Sequence, residues 1–366
     1  MTDYDKKFQE ARKAISDIDK EIAVLFEKRM EAAVHVAEYK KVNGVPIEDI
    51  VRENHLIETN SMLVKNDEIR SYYVNFLKNT MKLSKDYQHK IIDGTRVAFS
   101  GVKGAFAEIA VKRIFPDAVA VPYSDFKSAY KAVENGECEV AVLPIENSYE
   151  GDVARVMDLT YFGSLFINGV YDMAVEQHLF STQDSDSKTI KKVISHPQAL
   201  GQCAEFIEEK GYLKEEAVNT AVAAELVSKS NDSSLGVICS LEAGNEYGLK
   251  LIDRKINKNS TNTTRFAVFS RIPRDNTPDQ NNFIVLFTVR DEAGSLGKAI
   301  SVFGECGYNL KALKSRPSKD VIWNYYFFLE GEGHLTEEAE KSMLEKLSEV
   351  CTNVRLVGRY SKEQSI

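Results

Sequence analysis

The stretch DGTRVAFSGVKGAFAEIAVKRIF, residues 93–115, marks the point at which the sequence pattern changes and decides the fold of the domain that it begins. RVAFS is a short apolar run typical of a buried strand, GVKG is a turn, and AFAEIAVKRIF has the pattern of a helix. Strands and helices then alternate to about residue 270. This alternation predicts an α/β domain with a largely parallel sheet, beginning near residue 93.

The ninety residues before this stretch predict an all-α domain. Residues 5–42 contain no glycine or proline, and NGVP at 43–46 ends the first helix because glycine and the residue before proline both disfavour its continuation. Two further helical runs cover about 47–64 and 67–88. An apolar stripe at helical spacing runs along the first helix and is formed by Ile15, Ile18, Ile22 and Leu25.

The last part of the chain predicts an α+β domain. A polar segment, residues 274–282, separates it from the α/β domain. Runs typical of strand, helix, strand, strand, helix and strand then follow to about residue 360, which is the order of a ferredoxin-like βαββαβ unit. We therefore expect a multidomain protein with domains at 1–92, 93–275 and 276–366.

Composition excludes several classes of protein. A net charge of -8 argues against a nucleic-acid-binding protein. No run of about 18 uncharged apolar residues indicates a membrane span, and the first twenty residues lack the apolar core of a signal peptide. The five cysteines are widely spaced and never form CxxC, so neither a disulfide framework nor a zinc site is indicated. We expect a cytoplasmic protein with reduced thiols, no metal and no other cofactor.

Cationic side chains on the first helix suggest a site for a small dianion. Arg29 and Lys40 are 11 residues apart, which brings them to within about 20° of the same helix face and roughly 16 Å apart along its axis. Arg12 lies about 100° round the helix and roughly 25 Å from Arg29. If Arg12 serves the same kind of ligand, it must reach a second site, most simply in a partner protomer.

The two other helices add polar residues at one-face spacing. Asp49, Arg52 and Glu53 follow the i, i+3, i+4 pattern, and Ser84 and Gln88 are four apart. Each residue alone is more often a solvated charge or a helix cap. Together the set resembles the helical chorismate mutase family, whose pattern R…R…K…D-x-x-R-E…S-x-x-x-Q is matched over about residues 8–90. The matching positions are Arg12, Arg29, Lys40, Asp49, Arg52, Glu53, Ser84 and Gln88.

This resemblance implies that the eight residues bind chorismate and catalyse its rearrangement to prephenate. The reaction is a pericyclic shift without a nucleophile, so the protein holds the reactive conformer and stabilises charge on the breaking ether bond. Arginines grip the two carboxylates, and Lys40 with Gln88 donates to the ether oxygen. The resemblance also implies an intertwined homodimer, or a higher homo-oligomer, in which Arg12 crosses to the other protomer.

Five motifs of the α/β part occur in the order GAF, PIENS, SHPQALGQC, NTA and TRF. In this order they resemble the prephenate dehydratase family over about residues 95–272. The resemblance implies a two-lobed domain like a periplasmic binding protein, with a cleft that holds prephenate while carbon dioxide and hydroxide leave to give phenylpyruvate. The implied contacts with prephenate are Asn147, Ser148, Gln202, Thr220, Thr264, Arg265 and Phe266.

Two of these residues have implied catalytic roles. Thr264 donates to the leaving oxygen, and Arg265 orients either a carboxylate or the catalytic loop. His196 is a candidate general acid, although a histidine before proline in a loop more often has a structural role. The chain departs from the family at Ala107, where serine is usual, and at Tyr149 and Glu150, where small residues are usual. These departures bear on binding strength rather than on the type of reaction.

The C-terminal part resembles an ACT domain of the type attached to prephenate dehydratases. Gly294-Ser295-Leu296 stands for the usual G-A-L, and Lys314-Ser315-Arg316-Pro317 for the usual E-S-R-P. The resemblance implies that phenylalanine binds beside residues 294–296 and around Asn309 and Leu310, and that binding inhibits the pathway. Lys314 inverts a charge beside this motif, which predicts a weaker or altered response. A purely structural dimerisation unit is the alternative.

The sequence therefore predicts a bifunctional chorismate mutase and prephenate dehydratase regulated by phenylalanine. One alternative is a mutase fused to an inactive domain that senses carboxylates or amino acids. Another is a mutase fused to a prephenate dehydrogenase, which the absence of GxGxxG from the GVKG turn disfavours.

Overall fold

The computed structural model describes residues 3–257, 262–318, 325–361 and 364–366. The chain folds as two units, one ending at Thr95 and the other beginning at Arg96. Within the described residues, no helix combines the length and apolarity that a membrane span requires.

The first unit is all helical, as predicted. It contains α1 (Asp3–Asn43), α2 (Ile50–Ser61) and α3 (Asp67–Asp93). Asp49 starts α2 later than its apolar pattern suggests, because its side chain accepts a hydrogen bond from the Arg52 backbone N–H at 3.0 Å. Asn66 caps α3 in the same way, and Gly94, with φ of +92°, ends it. α3 packs against both α1 and α2.

The N-terminal part of α1 extends past its neighbours, since α1 has 41 residues and α3 has 27. Residues 4–28 are all exposed in the single chain. Their exposure includes the apolar stripe predicted from the sequence, in which Ile15 is 58% exposed and Leu25 is 64% exposed. Most of the stripe therefore has no cover within its own chain.

The second unit begins with a lobe built on a sheet. Its elements in chain order are β1 (Arg96–Ser100), α4 (Phe106–Ile114), β2 (Val119–Tyr123), α5 (Phe126–Glu134), β3 (Val140–Asn147), β4 (Gly151–Asp152), α6 (Ala154–Phe162) and β5 (Phe166–Ala174). β1 pairs in parallel with β2 and β3. The first strand and helix lie where the RVAFS and AFAEIAVKRIF patterns predict them.

A second lobe follows after the chain leaves β5. Its elements are β6 (His178–Ser181), β7 (Lys192–Ser195), α7 (Pro197–Gln202), α8 (Ala204–Lys210), β8 (Leu213–Glu216), α9 (Thr220–Ser230), β9 (Leu235–Cys239), α10 (Leu241–Glu246) and β10 (Lys250–Asp253). The described strands form a sheet in the order β10-β6-β9-β7-β8. β7 is parallel to β8 and β9, whereas β6 is antiparallel to β9.

The chain then returns to the first lobe through β11 (Thr263–Ser270). β11 lies between β3 and β5 and is antiparallel to both. Both sheets are consequently mixed, and the expectation of a largely parallel sheet is corrected. The physical reason is that β5 carries the chain out of the lobe and β11 carries it back beside β5, in the opposite direction.

The C-terminal part forms a further sheet with two helices. Its elements are β12 (Asn282–Val289), α11 (Ser295–Glu305), β13 (Asn309–Pro317), β14 (Tyr325–Glu332), α12 (Glu337–Val350), β15 (Cys351–Tyr360) and β16 (Gln364–Ser365). Four strands pair antiparallel in the order β13-β14-β12-β15. The predicted strand at 322–330 is described from Tyr325 onward, and residues 322–324 lie outside the described part of the chain.

This C-terminal sheet shares its core with the first lobe. One face packs on α11 and α12, while the other places Ile284, Leu286 and Phe328 in the same buried cluster as Leu143 and Ile167. The final strand, β16, adds in parallel to β5 of the first-lobe sheet. The C-terminal sheet therefore packs against one face of the first-lobe sheet.

Candidate active sites

The three helices of the first unit enclose a cavity of about 230 Å³. Seven of the eight residues predicted for a mutase site line it: Arg29, Lys40, Asp49, Arg52, Glu53, Ser84 and Gln88. They come from all three helices or the turns next to them. Residues up to 59 positions apart in the chain thus meet around one small volume.

Hydrogen bonds hold the cations of this cavity in place. Arg29 donates to the Ser84 hydroxyl and, at 3.2 Å, to the Thr80 carbonyl, and its partial burial lowers the pKa of the guanidinium. Lys40 Nζ donates to the Ile47 carbonyl at 2.5 Å. These contacts hold both positive charges at the wall of the same cavity.

The cavity also contains a polar atom without a partner. The Gln88 side-chain oxygen is buried and accepts no hydrogen bond from the described residues. An unpaired buried amide is costly, so its presence at a cavity wall is typical of a ligand site. Lys85, which the sequence analysis missed, pairs with Glu53 at 3.0 Å and also lines the cavity. Its signal was its position next to Ser84 on α3.

Arg12 does not line the cavity of its own chain. It lies on the exposed N-terminal part of α1, where its guanidinium stacks 5.3 Å from the centre of the Phe8 ring. This agrees with the helical spacing, which places Arg12 well away from Arg29 on a single chain.

A second cavity, of about 490 Å³, lies between the two lobes of the second unit. Five residues predicted for a dehydratase site line it: Asn147, Gln202, Thr220, Thr264 and Phe266. Asn147 ends β3, Thr220 starts α9, and Thr264 lies near the start of β11. Both lobes contribute residues to the wall, so the shape of the cavity depends on the segments that connect the two lobes.

Asn147 organises the central part of this cavity. Its side-chain NH₂ donates to the Thr264 hydroxyl at 2.9 Å and to the Asn262 side chain at 2.9 Å, while its oxygen accepts from the backbone N–H groups of Tyr149 and Glu150. Because the Thr264 oxygen accepts a hydrogen bond from Asn147, its own proton is left to donate to a ligand.

Unpaired amide atoms converge on the same cavity. The side-chain oxygens of Gln177 and Gln202 and the side-chain nitrogen of Asn262 are buried without a partner among the described residues. Gln177 and Asn262 were missed from the sequence. They lie in the two segments that connect the lobes, and no local motif marks a connecting segment as part of a site.

Helix N-termini provide further donors. α4 and α6 both begin at the cavity, after Ala105 and Val153, and neither residue has a side chain that can cap the helix. Backbone N–H groups in an uncapped first turn attract anions. No lysine or arginine among the described residues lines this cavity, so these neutral donors are its main features for a carboxylate.

Ser148 and Arg265 do not line the cavity, in contrast to the other predicted residues. The Ser148 hydroxyl accepts from the Thr263 backbone N–H at 3.0 Å and so joins β3 to β11. Arg265 lies on the opposite face of β11 from Thr264 and donates two hydrogen bonds to Glu330 of β14, at 2.9 and 3.0 Å. Arg265 thus anchors β11 to the C-terminal sheet, and its role towards a carboxylate or the catalytic loop stays a prediction.

The residues that depart from the family pattern occupy different places. Ala107 and Glu150 line the cavity, whereas Tyr149 is 62% exposed and does not. His196 lines it too, and its Nδ1 accepts the Gln198 backbone N–H at 3.2 Å as the cap of α7. One ring nitrogen of His196 thus has a structural partner.

The residues predicted to bind phenylalanine lie in the C-terminal part. Gly294 precedes α11 with φ of +85°, a conformation that favours glycine, and Ser295 and Leu296 open the helix. Asn309 and Leu310 begin β13, and the Asn309 amide donates to Glu332 at 3.4 Å.

Comparison with known proteins identifies two families along the chain. Residues 11–89 match the family model for chorismate mutase type II, and residues 97–274 match that for prephenate dehydratase. A bifunctional chorismate mutase/prephenate dehydratase of Aquifex aeolicus is 31% identical over 98% of both chains. An arogenate dehydratase/prephenate dehydratase of Arabidopsis thaliana is 32% identical, covering 72% of both chains.

Solved structures resemble the second unit. A prephenate dehydratase from Arthrobacter aurescens, in complex with L-Phe, is 25% identical with a TM-score of 0.68, covering 73% of this chain and 90% of that one. The two family matches, one within the all-α unit and one within the two-lobed unit, define an enzyme with two activities.

The chain belongs to the bifunctional chorismate mutase/prephenate dehydratase family. It rearranges chorismate to prephenate and converts prephenate to phenylpyruvate, which confirms the two activities predicted from the sequence.

Proposed function

We propose that each activity belongs to one of the two cavities, with the mutase in the helical unit and the dehydratase between the lobes. The observation that carries this proposal is the convergence of the predicted residues. Seven of them surround the first cavity and five surround the second, although they are dispersed in the sequence.

In the mutase cavity, fixed charges hold the substrate and stabilise the transition state. Arg29 and Arg52 hold the two carboxylates of chorismate in the folded conformer that reacts. Lys40 Nζ and the side-chain NH₂ of Gln88 donate to the ether oxygen, where negative charge develops as the carbon–oxygen bond breaks. No proton transfer is required, so preorganised donors suffice.

The mutase site is completed by a second copy of the chain. Arg12 lies outside the cavity of its own chain, on the segment of α1 whose apolar stripe is exposed. Pairing of two such segments buries both stripes, and each fully buried Ile or Leu contributes about 1.5–3 kcal/mol. It also brings Arg12 of one protomer to the cavity of the other.

In the dehydratase cavity, neutral donors hold a dianion. The uncapped first turns of α4 and α6, with the unpaired side-chain NH₂ of Asn262, bind the substrate carboxylates. When carbon dioxide leaves, the electrons of the broken carbon–carbon bond make the ring aromatic and expel the ring hydroxyl. Thr264, oriented by Asn147, donates its hydrogen bond to that oxygen, which leaves as water after gaining a proton.

We further propose that the chain has three functional domains, at 1–92, 93–275 and 276–366, and that the third is a regulatory ACT domain in a cytoplasmic enzyme. The order of strands and helices and the antiparallel sheet β13-β14-β12-β15 support this assignment. A related dehydratase structure contains L-Phe. We assign phenylalanine binding to the region of Gly294, Ser295, Leu296, Asn309 and Leu310, with inhibition as the result.

Two substrates and two variants test the assignment of the cavities. Wild-type protein given chorismate should form phenylpyruvate. Lys40→Ala should lose chorismate turnover but still convert added prephenate, whereas Thr264→Ala should convert chorismate and stop at prephenate. Phenylalanine should lower phenylpyruvate formation in the wild type. Loss of both activities in either variant, or undiminished dehydration by Thr264→Ala, would contradict the assignment.

A further inference from the structure

The dehydratase cavity has an electrostatic difficulty that its own lining does not resolve. Prephenate is a dianion, yet the charged carboxylates on the described wall are Glu150 and Asp152, and no described lysine or arginine lines it. Like charges a few ångströms apart repel strongly where water is partly excluded. A positive charge next to the wall, on a residue that does not itself line the cavity, must therefore offset this repulsion.

Lys314 of the C-terminal sheet is in that position. Its Nζ lies 2.5 Å from Asp152 Oδ1 and 2.9 Å from Glu146 Oε2. The Lys314 side chain is only 16% exposed, which makes these contacts less screened than those of a surface pair. β13, which carries Lys314, is the edge strand of its sheet and faces the first lobe at this point.

The contacts of Lys314 lead directly into the cavity wall. Asp152 lines the cavity and pairs across β4 and β3 with Glu146. Glu146 in turn precedes Asn147, the residue that orients Thr264. Arg265 contacts the same Glu146 oxygen, Oε2, at 3.4 Å, so this carboxylate is shared by two cations.

We propose that Lys314 is a specificity-determining residue of the dehydratase, acting through Asp152. It neutralises the carboxylate at the wall so that the cavity accepts a dianionic substrate. A glutamate at position 314 would instead add a third carboxylate beside Asp152 and Glu146. In this chain, the C-terminal sheet thus completes the charge balance of the dehydratase site.

Substrate kinetics with prephenate test this role in the full-length enzyme. Lys314→Met keeps the length of the side chain but removes the charge, and it should raise KM for prephenate about tenfold while kcat changes less than about threefold. Lys314→Glu should raise KM further. Lys314→Arg should restore most of the affinity. The matched control is Lys346→Met, at an exposed lysine of α12, which should leave KM unchanged.

Two further measurements separate charge balance from a structural role. Removing the wall carboxylate as well, in Lys314→Met/Asp152→Asn, should return KM towards that of Asp152→Asn alone, because the wall charge that Lys314 neutralises is then absent. Added salt should reduce the KM difference between Lys314→Met and wild type. Urea unfolding of each variant serves as the measure of folding of the second unit, which carries both substitutions.

The proposal is overturned if Lys314→Met has the wild-type KM, or if Lys314→Arg is as impaired as Lys314→Met. It is equally overturned if Asp152→Asn fails to relieve the Lys314→Met defect, since the lysine would then act by packing rather than by charge.

Discussion

Thr264 and Arg265 are neighbours in the chain, yet their side chains face opposite sides of β11. Thr264 faces the cavity and Arg265 faces the C-terminal sheet, because successive side chains of a strand alternate. The register pairs Thr264 with Asn147 and Arg265 with Glu146. One short motif therefore supplies a group that faces the cavity and a group that anchors the strand carrying it.

The Thr264 hydroxyl is the group on which we expect dehydration to depend most. Thr264→Val preserves shape but removes the donor, and loss of one preorganised donor to a developing oxyanion costs about 10²–10³ in kcat. Thr264→Ser retains the hydroxyl and should keep most of the rate. Steady-state assays with prephenate measure both variants. Equal rates for Thr264→Val and Thr264→Ser would show that the hydroxyl does not act in the reaction.

Glu330 should make the second unit sensitive to acid. Burial raises the pKa of this carboxyl, but its hydrogen bonds with Arg265 and Tyr360 and the nearby charges outweigh burial and hold the pKa below the ordinary glutamate value. A lowered folded-state pKa stabilises the protein above the unfolded-state pKa, and this contribution is lost as pH falls through the folded-state value.

Glu330→Gln should therefore destabilise the unit at neutral pH, by about 3–5 kcal/mol for a broken buried ion pair. Its free energy of unfolding should also fall less steeply than that of wild type as pH drops below the ordinary glutamate pKa. Urea unfolding from pH 7 to pH 3 measures both effects. Glu332→Gln, at an exposed position of the same strand, is the control and should retain the wild-type slope. A parallel slope for Glu330→Gln would contradict the argument.

At the scale of elements, local sequence chemistry predicts helix ends well. Asn66 caps α3 by accepting the Glu68 backbone N–H at 2.9 Å, and α3 carries Ser84 and Gln88 of the mutase cavity. Asn66→Ala should cost about 1 kcal/mol, whereas Asn66→Asp should be nearly neutral because aspartate caps as well.

The cap can be tested through the two activities of one chain. Asn66→Ala should lower the temperature at which mutase activity is lost, without changing that of dehydratase activity, because the cap lies in the helical unit. Thermal inactivation followed with both substrates measures this. An equal shift of both activities would mean that the two units unfold together.

Much of the architecture followed from such local patterns, whereas the direction and pairing of strands did not. The spacing of apolar residues and the positions of glycine and proline predicted the helices of the first unit and the first strand of the second. They could not show that β11 returns antiparallel between β3 and β5, because strand direction depends on the path of the whole chain.

The same distinction, between local patterns and the path of the whole chain, applies to the site residues. Asn147 and Thr264 belong to short motifs and could be predicted, while Gln177 and Asn262 enter the cavity through connecting segments that carry no motif. The sequence could have predicted that Arg265 faces away from Thr264 and Phe266, because successive side chains of a strand point to opposite faces.

At the scale of the whole molecule, the C-terminal sheet is continuous with the first lobe in packing and in charge. Tyr326 stacks on Tyr161 of α6 with ring centres 4.0 Å apart, and Arg316 pairs with Asp158 of the same helix at 2.8 Å. Lys314 and Glu330 extend these contacts to the strands that carry Asn147 and Thr264. A ligand that shifts β13 would therefore act on the dehydratase cavity through several contacts at once.

Assembly of two chains can be tested by restoring mutase activity from two inactive variants. If Arg12 serves the partner's cavity, a dimer of one Arg12→Ala chain and one Lys40→Ala chain contains one site with both lesions and one intact site. Random association of equal amounts makes half of the dimers mixed, so about a quarter of all mutase sites should be intact. Each variant alone should have little activity.

The control for this experiment pairs Arg29→Ala with Lys40→Ala. Both residues line the cavity of a single chain, so every site in their mixed dimer retains one lesion and no activity should return. Restoration by the Arg12 pair but not by the Arg29 pair would place Arg12 in its partner's site. If neither pair restores activity although mixed dimers are demonstrated, Arg12 acts within its own chain or not at all. The exposed stripe on α1 would then need another explanation than a shared mutase site.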